Sequence, residues 1–186
     1  SLYDNDGTTH LADYSYVALE RILQVSSAQP GTMLTNIKQA GEPVGDGGDQ
    51  YTGWDRFSRV IDQRWVVSST YTALERVQYG FDQASNRQWR DNLVADGLSA
   101  NQDEYYTYDG LYQLATLQRG TLNAGKTGIS GTPTWEEDYT LDPTGNWNNY
   151  LNKVSGTTTL NQNRTHNQAN EMLTIAVSSA LIAKDA

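Results

Sequence analysis

Cysteine is absent from this 186-residue chain, and proline is scarce at 4 residues. Without cysteine the chain has neither disulfides nor thiolate metal sites. The low proline content argues against disorder by composition. No run approaches the ~18 consecutive apolar residues that a membrane-spanning helix needs. Basic residues are too few to balance the acidic ones, and the net charge of −9 argues against nucleic acid or an anionic membrane surface as a partner.

Aromatic residues are plentiful, with 12 Tyr and 5 Trp, although hydrophobic residues make up only 37% of the chain. Large flat side chains at alternate positions suit the pleated surface of a β-strand. The composition is therefore typical of a polar, extended β architecture with aromatic rungs, rather than of a thick aliphatic core. We predict an all-β protein.

A unit that recurs along the chain is clearest in Tyr105–Gly120, which reads YYTYDGLYQLATLQRG. Alternating tyrosines lead into Asp109-Gly110, a signal for a tight hairpin turn, and a second strand follows. The Asp residues of the four well-formed copies are 27, 27 and 33 residues apart, and Asn167 follows 25 residues later. A regular period indicates one supersecondary unit reused along the chain. The residues that define the copies are Tyr3, Asp4, Trp54, Asp55, Phe81, Asp82, Tyr106, Tyr108, Asp109, Leu141, Asp142 and Gly145, with degenerate copies at Tyr16–Ile22 and His166–Met172.

The chemistry of this unit is structural. An Asp side chain can bond to the backbone two residues on and so fix a turn. A small residue often stands three positions after the Asp, where a positive φ is expected. These small residues are Gly7, Ser58, Ser85 and Gly145. The alternative is a row of acid catalysts or metal ligands, but each Asp belongs to its own copy and no pattern pairs them.

The unit resembles the YD repeat of the RHS family, whose members include RHS toxins, shell subunits of insecticidal toxin complexes, and teneurins. The resemblance rests on Tyr106–Leu114, on Tyr79–Asp82 with Asn86-Arg87, and on Leu141–Asn146. It implies antiparallel repeat β-hairpins that form a curved sheet or a β-solenoid-like segment of a shell. About six or seven copies would fill residues 1–171, and residues 172–186 would be an apolar edge strand or tail outside the repeat pattern.

The resemblance also implies a non-enzymatic structural segment of a secreted or cell-surface protein, without cofactor, metal or catalytic residue. Its partners would be further repeats, or copies of the chain itself, joined through open sheet edges. Enclosed toxin cargo and surface glycans are further candidates. The chain begins within a copy at Tyr3-Asp4, so we expect either a longer array or self-capping on other copies. A contact between copies that does not close would give an extracellular fibre instead of a shell.

Two other function classes stay open. A carbohydrate- or cell-surface-binding module would use exposed aromatics, with candidates Trp54, Trp65, Trp89, Trp135 and Trp147. A hydrolase would use carboxylates such as Asp46, Asp49, Glu136 or Asp138. Adjacent strand residues point to opposite faces, so Glu136 and Glu137 cannot both line one sugar cleft.

Three weaker patterns favour structural roles. Asp46 and Asp49 flank a flexible turn but lack the further ligands of a Ca²⁺ loop. Residues Gly120–Thr127 match the phosphate-loop pattern, but the sequence that follows cannot start a helix. His10 and His166 share no spacing rule with other metal ligands.

Three segments give local predictions. Residues Leu11–Gln29 favour a strand pair over a helix, because they lie in the repeat context. Asp91–Asp103 predicts a long hairpin loop or one helical turn. The apolar alternation of Leu173, Ile175 and Val177 predicts a strand whose free edge would accept a partner.

Overall fold

The computed structural model describes residues 1–4, 6–17, 21–45 and 48–178. They form thirteen strands and one short helix, α1 (Leu93–Gly97). The strands are β1 (Leu2–Tyr3), β2 (His10–Val17), β3 (Arg21–Ser27), β4 (Thr32–Thr35), β5 (Asp62–Val67), β6 (Ala73–Phe81), β7 (Arg87–Asn92), β8 (Asp103–Tyr108), β9 (Leu114–Gly120), β10 (Trp135–Leu141), β11 (Trp147–Val154), β12 (Thr157–His166) and β13 (Met172–Val177). The prediction of an all-β fold is confirmed. No helix in the described ranges is long and apolar enough to cross a membrane.

The chain folds as two compact units. The first contains Ser1–Tyr79 and Asn92–Ser99, and the second contains Gly80–Asp91 with the described residues from Ala100 onward. In the first unit β1 to β6 pair in chain order, each strand antiparallel to the next. In the second unit β7 to β13 do the same. Consecutive antiparallel pairing is the topology of successive hairpins, which confirms that part of the predicted fold.

The apolar core lies in the first unit. The buried apolar side chains among the described residues are Leu23, Met33, Val66, Val77 and Ala95. Beside them in β5, Asp62 and Arg64 are also buried. Glu42, in the loop between β4 and β5, accepts two hydrogen bonds from Arg64, at 3.0 and 2.9 Å. Such buried charges are tolerated because they are paired and hydrogen-bonded.

The second unit relies on strand pairing and half-buried side chains. Three of its hairpins show a register shift directly before the turn, between Thr107 and Tyr108, Thr140 and Leu141, and Thr165 and His166. One extra residue on the returning strand produces a β-bulge, which bends and twists the hairpin. The bulge therefore belongs to the repeat, and on the returning strand it lies opposite the residue that precedes each turn-forming Asp or Asn.

The local predictions have clear outcomes. The favoured strand pair in Leu11–Gln29 is confirmed by β2 and β3. In Asp91–Asp103 the helical alternative is correct, because α1 begins after Asn92, whose side chain accepts a hydrogen bond from the Ala95 backbone N–H at 3.1 Å. The predicted C-terminal strand is β13, and it pairs with β12. Residues 179–186 of the expected tail lie outside the described residues.

Candidate functional site: the repeated turn and its surroundings

The repeated turn is best seen between Asp142 and Asn146. The Asp142 backbone N–H donates to the Asn146 carbonyl at 3.0 Å, and the Gly145 N–H donates to the Asp142 carbonyl at 2.9 Å. The carboxylate Oδ1 of Asp142 accepts the backbone N–H groups of Thr144 and Asn146, each at 2.9 Å. Gly145 has φ +87°. This is a three-residue hairpin loop that ends on a left-handed residue and a bulge.

The same backbone pattern closes four other hairpins. In each, the residue at the Asp position pairs with the residue four places on, and the residue three places on has a positive φ. The turns are 55–59, 82–86, 109–113 and 167–171, with left-handed residues Ser58, Ser85, Tyr112 and Asn170. The positive φ expected at Gly7, Ser58, Ser85 and Gly145 is present in all four.

The N-terminal copy differs from the prediction. Gly7 again has a positive φ of 68° and donates to the Asp4 carbonyl at 2.9 Å. The side chain that caps the loop is Asp6, whose Oδ1 accepts the backbone N–H groups of Thr8 and Thr9, each at 2.8 Å. Hydrogen bonds from Thr9, and then Thr8, lower the pKa of Asp6 from 3.8 to about 2. The Asp4 backbone N–H donates to the Thr9 carbonyl, five places on, at 2.8 Å, so this loop is one residue longer than the other copies.

Two copies depart from the sequence rule for the small residue. In the turn after β8 the left-handed residue is Tyr112, with φ 61°, and Gly110 does not take that place. The predicted Asp-Gly turn is therefore wrong in type, although the hairpin is present. In the last copy the left-handed residue is Asn170 instead of a small residue. An amide also replaces the carboxylate there: Asn167 Oδ1 accepts the N–H groups of Ala169 and Glu171, at 2.9 and 3.0 Å. In the other degenerate copy, Tyr16–Ile22, residues 18–20 lie outside the described residues.

The carboxylates of Asp142 and Asp55 are held ionised by their own loops. Hydrogen bonds from Asn146 and Thr144 keep the pKa of Asp142 well below its ordinary value. Burial acts to raise the pKa of Asp55, but hydrogen bonds from Arg59 outweigh it and the net pKa is lowered. An acid catalyst needs a proton to donate near neutral pH. These carboxylates are suited to holding a turn closed, not to transferring protons.

Neighbouring turns of the second unit contact one another. The Asn146 side-chain amide donates to Asn170 Oδ1 at 2.9 Å, and so links turn 142–146 to turn 167–171. The Thr144 hydroxyl lies 3.3 Å from the same oxygen. These contacts join the left-handed residue of one turn to the loop of the previous turn, so the turns form a continuous row along one edge of this unit.

An aromatic cluster lies on one face of β10 and β11. The Tyr139 and Trp147 rings meet edge to face at 5.0 Å, and Trp147 stacks with Tyr150 at 5.5 Å. Both phenols donate to Glu137, Tyr139 at 2.7 Å and Tyr150 at 2.8 Å. Burial, and then the hydrogen bonds to Glu137, raise the pKa of both phenols. Arg164 lies over the Trp147 ring at 4.7 Å. The cluster is a packed rung of the repeat.

The five tryptophans do not form a common platform within either unit. Trp54 lies beneath Arg21 at 5.1 Å, and Trp89 beneath Lys126 at 4.2 Å. Trp147 belongs to the aromatic cluster. Trp65 in the first unit is 37% exposed, as are Trp135 and Trp147 in the second, and none of the three stacks on another tryptophan among the described residues. The tryptophans of the described residues therefore do not combine into a flat stacking surface in either unit.

Two of the candidate hydrolase carboxylates, Glu136 and Asp138, come together on one lysine. Glu136 and Asp138 both contact Lys153, with the Asp138 Oδ2 at 2.8 Å from its Nζ. Burial acts to raise the pKa of Glu136, but hydrogen bonds from Lys153 and Gln118 outweigh it and the net pKa is lowered. Glu137 points to the opposite face, as predicted. Asp49 accepts the backbone N–H of Tyr51 at 2.8 Å. Asp46, the other carboxylate of the possible Ca²⁺ loop, lies outside the described residues.

The remaining motifs have structural partners. After the phosphate-loop match, Leu122 and Ile129 form an isolated antiparallel bridge, so no helix follows and the match is accidental. Lys126 of that motif lies 2.7 Å from Asp91. His10 lies 3.0 Å from Asp13 and packs against the Tyr3 ring at 4.4 Å.

Comparison with known proteins finds a likeness in fold. No protein-family description matches the chain, and no curated protein matches it. The crystal structure of TcdB2-TccC3-TEV is similar, with a TM-score of 0.58 and 16% identity. The match covers 91% of this chain and 8% of that chain. The crystal structure of TcdB2-TccC3 matches with a TM-score of 0.47, 16% identity and coverages of 91% and 10%. The chain thus spans less than one tenth of the length of the first of these and shares its fold.

Proposed function

We propose that this chain is a non-enzymatic structural segment of a secreted or cell-surface RHS-type protein, built to form part of a β shell. The observation that carries the proposal is the repeated turn, which closes successive hairpins with one set of hydrogen bonds. In each turn the side-chain carboxylate or amide oxygen accepts backbone N–H groups of the same turn. Repetition of a self-contained bend is what an extended array requires, because each unit buries its faces only against its neighbours.

The fold likeness supports the same proposal. TcdB2-TccC3-TEV is a much longer chain, and this chain matches only 8% of it. A segment that reproduces the fold of a small part of a long chain is consistent with a contribution to a larger β assembly. The YD-like copies give independent support for a structural segment, because they are a property of the sequence itself.

The edge at β13 supplies a route to assembly. β13 carries no charged residue, and all six of its residues are exposed. In the described part of the chain, β13 pairs with β12 alone. A strand with unpaired backbone groups and uncharged, apolar side chains is a template for a further strand. We expect this edge to accept a further repeat or another copy of the chain.

The carboxylate chemistry favours a structural role over hydrolysis. Glu136 and Asp138 share one ammonium group, that of Lys153. Hydrolysis of a glycosidic bond needs one carboxyl whose pKa is raised, so that it can protonate the leaving group. The pKa of Glu136 is lowered instead.

The test is self-association of the full chain and of Ile175→Lys. We expect the native chain to form oligomers, closed particles or filaments as its concentration rises, seen by analytical ultracentrifugation and negative-stain microscopy. Ile175 is 50% exposed in β13, so a lysine there should block edge pairing without removing a buried side chain.

The matched control is Leu111→Lys, which adds the same charge at a turn residue that is 58% exposed. It should associate like the native chain. A native chain that stays monomeric up to about 100 μM, well into the range where exposed strand edges associate, would contradict the proposal. So would equal association of Ile175→Lys and the native chain.

A further inference from the structure

A cleft of about 630 Å³ opens in the first unit beside the turn 55–59. Its walls include Arg21, Asp49, Tyr51, Trp54, Arg56 and Ser58. The volume lies within the range of small-molecule sites, about 300–1,000 Å³. The cleft combines aromatic rings, hydroxyl groups and arginines, and the structural role proposed above uses none of these arginines.

Arg21 is oriented by an aromatic ring and a hydroxyl group. Its guanidinium lies over the Trp54 ring at 5.1 Å and donates to the Ser58 hydroxyl. Within the described residues, Arg21 forms no ion pair. Arg64 and Arg76 of this unit contrast with it, since both pair with Glu42. A cation that is oriented by an aromatic face and a hydroxyl is preorganised for an anionic ligand.

Arg56 provides a second cation on the same cleft. It lies 5.0 Å from the Phe57 ring and, among the described residues, has no carboxylate partner. The chain has 22 acidic and 13 basic residues, so two arginines that have no acidic partner among the described residues and line one cleft are notable. Guanidinium groups are the usual choice for carboxylate recognition, because their N–H donors match both carboxylate oxygens.

The acidic residues of the cleft only partly offset these charges. Asp55 is already paired with Arg59, at 2.6 Å between Oδ2 and Nε. Asp49 uses Oδ1 to accept the Tyr51 backbone N–H, and its remaining oxygen is a hydrogen-bond acceptor for a ligand hydroxyl. An anionic group is therefore favoured near Arg21 and Arg56, and hydroxyl groups near Asp49.

The aromatic side chain of Tyr51 indicates which kind of anionic ligand suits the cleft. Tyr51 lines the cleft and is 37% exposed, so part of its side chain is accessible to a ligand. An aromatic ring with a polar tip suits a ligand that is apolar on one face and hydroxylated at its rim. We propose that this cleft binds a saccharide that carries a carboxylate, with the carboxylate on Arg21 and Arg56 and the sugar ring against Tyr51.

The two common sources of this chemistry are a hexuronic acid and a sialic acid, and the test separates them. Isothermal titration of the full chain uses digalacturonate, 3′-sialyllactose and neutral lactose. We expect one acidic sugar to bind at least tenfold more tightly than lactose. Arg21→Gln and Arg56→Gln should each weaken that binding, Arg21→Gln by at least tenfold. Arg90→Gln, which removes an arginine from the second unit, should leave it unchanged.

A second readout locates the site. The indole N–H signal of Trp54, assigned through Trp54→Phe, should shift during titration with the acidic sugar while the signals of Trp65 and Trp135 stay fixed. Equal binding of lactose, undiminished binding by both arginine variants, or no binding of either acidic sugar at 10 mM would overturn the proposal. If Arg21→Gln does not fold, Arg56→Gln decides, because Arg56 is exposed and holds no hydrogen bond that the fold uses. This site goes beyond the structural role, and its failure would leave the assembly test unaffected.

Discussion

Asp82 and Asn86 are joined by three hydrogen bonds across a single turn. The Asp82 backbone N–H donates to the Asn86 carbonyl at 3.0 Å. The Asn86 backbone N–H and side-chain amide donate to the two carboxylate oxygens of Asp82, each at 2.8 Å. One residue pair therefore closes the loop through its main chain and both of its side chains, and the pair at Asp142 and Asn146 repeats this arrangement.

The first prediction concerns the carboxylate of Asp82. Asp82→Ala removes two acceptors and leaves the Asn86 donors without a partner, so the free energy of unfolding should fall by about 1–2 kcal/mol. Asp82→Asn keeps an acceptor for the backbone N–H and should lose less. Urea unfolding measures both. Gln83→Ala, an exposed change in the same turn, is the control and should stay within about 0.5 kcal/mol of the native chain.

The second prediction uses the left-handed position of two neighbouring turns. Tyr112 has φ 61° and is 65% exposed, so Tyr112→Gly relieves backbone strain and loses little packing. Its free energy of unfolding should rise by about 0.5–1 kcal/mol. Gly145 has φ +87°, and Gly145→Ala should lower it by about 1 kcal/mol. Thermal and urea unfolding give both signs, and two changes of the same sign would show that packing, not backbone conformation, decides this position.

The third prediction concerns Gly80 and Trp89. A Cβ at Gly80 would lie 2.0 Å from the Trp89 indole nitrogen, so the ring packs directly on the glycine backbone. Gly80→Ala must displace the ring and should destabilise the chain by about 1–3 kcal/mol, with a change in tryptophan emission. Gly110→Ala is the matched control, because a Cβ there meets nothing within 4 Å. An unchanged emission spectrum in Gly80→Ala would contradict the close packing.

The fourth prediction is a pH dependence centred on Lys153. The pKa of Glu136 is lowered by Lys153 against the effect of burial. A carboxyl whose pKa is lower in the folded chain contributes stability above its ordinary pKa of 4.5, and loses it as pH falls below that value. Lys153→Met should therefore cost about 1 kcal/mol at pH 7, and the difference from the native chain should narrow towards pH 3.

The control for this pH dependence is Lys38→Met. The Lys38 ammonium donates to the backbone carbonyl of Glu42 at 2.9 Å. Because the Lys38 ammonium donates to backbone carbonyl oxygens, which do not titrate, its contribution should not change between pH 7 and pH 3. A difference for Lys153→Met that stays constant with pH would argue that the side chain acts through packing alone.

The sequence predicts the turns well because their chemistry is local. The Asp or Asn oxygen and the N–H groups that it accepts lie within four residues of one another, so a short motif contains the whole device. The opposite orientations of Glu136 and Glu137 follow from strand geometry in the same way. The expectation of a small residue three places after the Asp fails at Tyr112. The backbone hydrogen bonds of the turn impose the left-handed conformation there, and the residue type changes only the free energy that this conformation costs.

The cleft and the ion pairs of the first unit have no comparable local signal. Arg21 and Ser58 are 37 residues apart in the chain, and Arg64 and Glu42 are 22 apart. Neither pair belongs to a repeat copy with a fixed offset. Their meeting depends on how the loop between β4 and β5 returns to the sheet, which composition and periodicity do not encode. That Arg21 and Arg56 have no acidic partner among the described residues becomes visible only when the contacts are known.

The row of turns along one edge of the second unit has a consequence for how such chains change in length. The turns 109–113 and 142–146 lie 33 residues apart, against 27 for the two preceding intervals, and the additional residues fall between β9 and β10 on the opposite margin. Within the second unit the turns 82–86, 109–113, 142–146 and 167–171 all keep five residues, while the loops on the opposite margin differ in length. A longer loop on that margin leaves the hydrogen bonds of the regular turns unchanged.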